Sequence, residues 1–123
     1  MDADKITFGQ GLTMVEVQYE KIGADLQVVI TAGKAHVGAT ALAVPCQTTA
    51  EGVTASVSVM TAPGHRDDIV AGKAALELCK ALRCNVCATA GLHIDHATQD
   101  EIMTLVYNAK ESINILIKKL KEE

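Results

Sequence analysis

Three of the four histidines stand in two short segments, Ala62-Pro63-Gly64-His65-Arg66-Asp67-Asp68 and Gly91-Leu92-His93-Ile94-Asp95-His96. Each segment is expected to end a strand and begin a helix, and helix starts offer free amides and partial positive charge to a phosphate or carboxylate. Gly64 would let a ligand approach the backbone, Arg66 would give a bidentate contact to an oxyanion, and His65 would add a donor. The same residues also suit a purely structural role. Pro63-Gly64 then makes a turn, Asp67 and Asp68 complement the helix dipole, and Arg66 is solvated. The residues alone leave both open.

Metal chemistry is less well served. Cys84-Asn85-Val86-Cys87 followed by His93 and His96 has the ligand types of a zinc site. Zinc fingers, however, place the cysteine pair on a tight turn and the histidine pair much further along, on a helix. Here the cysteines flank Val86 in an expected strand, where residues three apart face opposite sides. His93, Asp95 and His96 could form a looser metal site, but Asp95 serves equally well as a cap or turn residue. No metal is therefore expected. Nor does the chain carry a nucleophile elbow, a phosphate loop or a dinucleotide fingerprint. Gly33-Lys34 and Gly72-Lys73 read as structural pairs, isolated His36 is expected to face solvent, and no catalytic residue is assigned. Cys46, Cys79, Cys84 and Cys87 are expected to be reduced, with Cys79 and Cys87 filling the core as small apolar residues.

These residues need a scaffold, and the chain's alternations supply one. Val15, Val17 and Tyr19 alternate with Glu16 and Gln18, and Leu26, Val28 and Ile30 alternate with Gln27, Val29 and Thr31, predicting a hairpin around Gly23-Ala24. A third strand over Val37–Val44 is rich in Ala and Gly, so a helix, a subunit or a ligand can come close to its backbone. Its small residues suggest an edge or subunit contact. Pro45–Gly52 reads as an exposed connection, and a fourth strand runs from Val53 to Val59, giving four antiparallel strands in series. From Asp67 to Leu82 the period changes to 3.6, with Lys73, Glu77 and Lys80 on one stripe of a largely buried helix. A short strand over Asn85–Ala90 precedes the last helix, whose apolar face runs through Ile102, Leu105, Val106, Ala109, Ile113 and Leu116. Thr98 and Glu101 predict a capping box. The order β-β-β-β-α-β-α indicates an α+β domain, a mainly antiparallel sheet with two helices packed on one face. One domain is expected over residues 1–123, with residues 1–11 flexible.

Composition narrows the functions. A formal charge of −4 with one Phe, two Tyr and no Trp disfavours a nucleic-acid surface. The apolar runs fall far short of the roughly 20 residues that cross a bilayer, and no secretion signal is visible, so a soluble cytoplasmic protein is expected.

Gly64-His65-Arg66-Asp67-Asp68 and Ala90-Gly91-Leu92-His93-Ile94-Asp95-His96-Ala97-Thr98, with the long amphipathic C-terminal helix, resemble the prenylated-flavin chaperone LpdD-like family over roughly Leu12–Leu120. That family comprises small companions of UbiD-type decarboxylases, also described as the D subunit of gallate or hydroxybenzoate decarboxylase. The resemblance implies a fold similar to dimeric proteasome assembly chaperones. It also implies a homodimer that binds prenylated FMN and helps deliver it, with a UbiD-type decarboxylase and a flavin prenyltransferase as partners. Gly64, His65, Arg66, His93 and Asp95 are then the expected cofactor-binding residues, with the flat ring lying against the small residues of the third and fourth strands. A structural subunit or assembly chaperone that binds protein without flavin is the alternative. An enzyme using His65, His93 and Asp95 ranks behind both.

Overall fold

The computed structural model describes residues 4–46, 54–63 and 67–123. The elements are β1 (Asp4–Phe8), a 3-10 turn (Gly11–Thr13), β2 (Val15–Ile22), β3 (Asp25–Gly33), β4 (Ala39–Pro45), β5 (Ala55–Thr61), α1 (Asp67–Leu82), β6 (Val86–His93) and α2 (Gln99–Lys121). The expected hairpin is β2–β3, with Val17 opposite Ile30 and Tyr19 opposite Val28. Those four side chains are buried while Gln18 and Gln27 stay in water, so the period of two sets which face is covered. β1 adds a strand within the segment expected to be flexible, pairing Ile6 with Val17. Ile6 and Phe8 are too few apolar positions to announce a strand by themselves.

The strand order is β1-β2-β3-β6-β4-β5, so β3, β4 and β5 do not follow in series. β6 inserts between β3 and β4, parallel to the first and antiparallel to the second. The chain after β3 crosses the end of β6, where the Lys34 amide donates to the His93 carbonyl and the Gly38 amide to the Ala90 carbonyl, each at 2.9 Å. This makes β6 an inner strand, which explains why Val86, Ala88 and Ala90 are wholly buried. β4 is likewise interior, not an edge. Its Ala39, Ala41 and Ala43 are small because α1 lies on them through Ala71, Ala74, Ala75 and Leu78, and alanine against alanine lets helix and sheet approach closely.

Both helices cover the same face: α1 rests on β4, β5 and β6, and α2 rests on α1, β1 and β2. The architecture is therefore α+β, as the element order implies. α2 begins with the predicted capping box, Glu101 N–H donating to Thr98 Oγ1 at 3.1 Å and Thr98 N–H donating to Glu101 Oε1 at 2.8 Å. Leu105, Ala109, Ile113 and Leu116 of its apolar face are buried, whereas Ile102 and Val106 remain 45% and 49% exposed. Its buried polar residues are satisfied, since Asn108 Nδ2 donates to the Thr13 carbonyl and Ser112 Oγ to the Asn108 carbonyl. No helix among the described residues is long and apolar enough to cross a membrane.

Candidate functional site

Four pieces of chain converge where β6 ends: the crossing segment after β3, the first residue of α1, the end of β6 itself, and the start of α2. Asp67 stands at the centre, only 5% exposed. Its Oδ2 lies 3.0 Å from His36 Nε2, and its Oδ1 accepts the Leu92 amide at 3.0 Å. Asp67 is thus a buried, ligated carboxylate and more than a surface complement to the helix dipole. His36, expected in solvent, is half-buried against it, and the His36 Nδ1 approaches the Lys34 carbonyl at 3.1 Å.

Two glycines permit this convergence. A Cβ on Gly38 would overlap Asp67 Oδ2, and one on Gly91 would overlap the His36 carbonyl oxygen. A side chain at Gly91 would push the crossing segment off the sheet, and one at Gly38 would displace the Asp67 carboxylate.

Beside this pair lies a second, exposed one. His93 Nε2 is 3.0 Å from Asp95 Oδ1, and Lys34 Nζ is bonded to Asp95 Oδ2. The Lys34 hydrogen bond first, and the His93 bond next, hold the Asp95 carboxyl below the usual carboxylate range. The His36 and His93 rings meet edge to face with centroids 6.3 Å apart, linking the two pairs. His96 follows in a left-handed turn, φ 53°, at the mouth of the site.

Three of these groups border a cleft of about 440 Å³ between α1, the end of β6 and the start of α2. Asp67, His93 and His96 form its polar side, and Val70, Ile102 and Val106 belong to its aliphatic wall. The exposure of Ile102 and Val106 follows, because they face the cleft and not the core. Such a site suits a molecule with a polar group at one end and an apolar body at the other. Among the described residues no Phe, Tyr or Trp lines it, so a flat ring would rest on aliphatic side chains.

Of the expected cofactor-binding residues, His93 and Asp95 are brought together here. Gly64, His65 and Arg66 lie outside the described residues. On the helix-covered face the expected resting place for a ring is closed, since Ala39, Ala41 and Ala43 of β4 are 0–2% exposed beneath α1, whereas the opposite face of β4 and β5, with Leu42 and Met60, is exposed. Lys34, His36 and Asp67 were not singled out as site residues by spacing, for they come together only through the strand crossing. The glycines that frame them, Gly38 and Gly91, were the available signal.

All four cysteines are free thiols. Cys79 is buried as expected, and burial pushes its thiol up, as it does for Cys84. Cys84 sits in the turn before β6, not in a strand, and Cys87 is half-buried, outside the core where it was expected. Among the described residues no group of three His, Cys, Asp or Glu side chains is placed to hold a metal ion.

The fold has a solved counterpart. A chain from the crystal structure of a chaperone complex for yeast 20S proteasome assembly superposes with a TM-score of 0.61 at 13% identity, over 98% of this chain and 99% of that one. At that identity the likeness is one of fold. No curated protein matches in sequence. Residues 9–121 match the prenylated flavin chaperone LpdD-like domain, nearly the whole length, and the chain belongs to that family.

Proposed function

We propose that the protein is a non-catalytic carrier that binds prenylated FMN and hands it to a UbiD-type aromatic acid decarboxylase in the cytoplasm, after a flavin prenyltransferase has made it. The observation that carries this reading is the cleft beside His93, whose volume of about 440 Å³ lies within the range of small-molecule sites, about 300–1,000 Å³. Its lining is compatible with such a ligand: His93 and His96 can donate at one side, next to the Asp67 carboxylate, and aliphatic walls form the other. In this assignment the phosphate is taken by Gly64, His65 and Arg66, which directly precede Asp67 in the sequence, together with His93. Asp95 orients His93 and Lys34 as donors, and Val70, Ile102 and Val106 cover the ring and its prenyl addition. The carrier acts as a homodimer.

Native mass spectrometry of the protein co-expressed with a flavin prenyltransferase tests this. The expected result is a bound mass equal to prenylated FMN, with visible absorbance from the flavin. A flavin-free protein that co-purifies with a decarboxylase would instead establish a structural subunit.

A further inference from the structure

The two helices run side by side in the same direction, and below the cleft the seam between them stays open. Ile69, Val70 and Ala74 of α1 face Val106, Ala109 and Ile113 of α2 across a shallow groove of about 90 Å³. That is room for an inserted aliphatic side chain and too little for a cofactor. The groove is continuous with the cleft, because Val70 and Val106 line both. Ile69 and Val106, one on each wall, are 42% and 49% exposed, so apolar surface of both helices stays in water there.

Its charges have one sign. Lys73 stands four residues after Ile69 and Lys110 four residues after Val106, so each wall repeats an apolar residue followed one turn later by a lysine. Both lysines line the groove, Asn114 is its other polar residue, and no carboxylate joins them there. Neither lysine takes part in a salt bridge among the described residues. The whole chain, by contrast, carries a formal charge of −4.

We infer that the α1–α2 seam is a docking groove for an acidic amphipathic helix of a protein partner, which lies as a third helix over Ile69 and Val106 with carboxylates on either flank reaching Lys73 and Lys110. An apolar floor between paired walls is what helix-in-groove recognition requires, and the flanking charges set the partner's sign. The surface adjoins the cleft, so a bound partner helix would sit at its opening. The inference does not depend on what the cleft holds.

The test uses the intact protein and a fluorescent synthetic helical peptide with Leu along one face and Glu on both flanks, read by anisotropy. The peptide is expected to bind, more weakly as salt is added. The Lys73→Glu, Lys110→Glu double variant should lose roughly tenfold in affinity, while a matched peptide with Lys in place of Glu should prefer that variant to wild type. Circular dichroism and flavin titration on the same variant separate this result from the fate of the carrier reading. If charge reversal unfolds the chain, the Lys73→Gln, Lys110→Gln variant should show the same loss, smaller in size. Three results would overturn the inference: no binding by wild type, equal binding of both peptides, or a dimer that Ile69→Asp converts to monomer, which would make the seam a contact between copies.

Discussion

Nε2 of His36 lies 3.0 Å from Oδ2 of Asp67, tying the segment that crosses β6 to the first residue of α1. The Lys34 carbonyl on the other ring nitrogen can only accept, and Asp67 is a carboxylate whose second oxygen already accepts the Leu92 amide. The ring donates to the Asp67 carboxylate when its Nε2 carries the hydrogen. His36→Ala would leave the buried Asp67 with a single donor of these two, and a hydrogen bond to a charged group is worth about 1.5–3 kcal/mol. A loss of about 2 kcal/mol in urea unfolding is therefore expected. A double-mutant cycle with Asp67→Asn should show coupling of about 1 kcal/mol. Independent, additive effects would mean the pair contributes nothing as a pair.

Asp95 provides the pH-dependent element. Its folded carboxyl titrates below the ordinary value because Lys34 and His93 bond to the ionised form. The sign follows: the stabilisation is present above the unfolded carboxylate value and is lost as pH falls through the lower, folded one. Because the group is exposed, the site should respond and global stability hardly at all. In an NMR titration of side-chain carboxyl carbons, Lys34→Met should move the Asp95 midpoint upward. An unchanged midpoint would mean that the Lys34 contact is not populated in solution.

Gly91 tests whether the crossing segment must lie flat. A methyl at this position would occupy the place of the His36 carbonyl oxygen, so Gly91→Ala forces the segment outward and separates His36 from Asp67. Overpacking of this kind costs about 1–3 kcal/mol. The thermal midpoint should fall and His36→Ala should add little further loss in that background, since the bond it removes is already broken. Full additivity would show that the segment accommodates the methyl without moving.

These relationships also mark what sequence could and could not convey. The β2–β3 hairpin was legible because Val15 to Ile30 alternates within one local unit, and the start of α2 because Thr98 and Glu101 are three residues apart. β6 was legible as a strand but not as an inner one, for its place between β3 and β4 depends on partners about 60 residues away at one edge and about 50 at the other. The alanines of β4 announced a close approach without saying what approaches. His36 looked isolated because its partner Asp67 is 31 residues distant, and only the glycines needed for their meeting left a trace.

Oligomeric state can be argued from the two sheet edges. β1 carries Asp4 and Lys5, charges of the kind that discourage edge pairing, whereas β5 reads Ala-Ser-Val-Ser-Val-Met-Thr without a charge or a proline. Met60 on β5 is 79% exposed. An uncharged regular edge can pair with its own copy about a two-fold axis. Light scattering should give twice the 13.0 kDa chain mass for wild type and a single mass for Ser58→Lys, Met60→Lys. A monomeric wild type at tens of micromolar would remove the homodimer from the carrier reading.

If Arg66 and His93 hold the phosphate of prenylated FMN, each contributes a charge-assisted bond worth roughly 1.5–3 kcal/mol, and Arg66→Ala or His93→Ala should raise the dissociation constant by about one to two orders of magnitude. Stability should separate the two readings of these residues. His93 contacts an exposed carboxylate and stands at the end of a strand, so its loss should cost folding little, within about 0.5 kcal/mol of wild type. Arg66 should behave likewise if it serves the ligand, and should destabilise the fold if its role is structural. Riboflavin, which lacks the phosphate, should bind wild type and both variants alike, because the aliphatic wall of Val70, Ile102 and Val106 is untouched. Equal affinity of wild type and the Arg66→Ala, His93→Ala double variant for the phosphorylated flavin would place its anionic group elsewhere, even with the flavin still in the cleft.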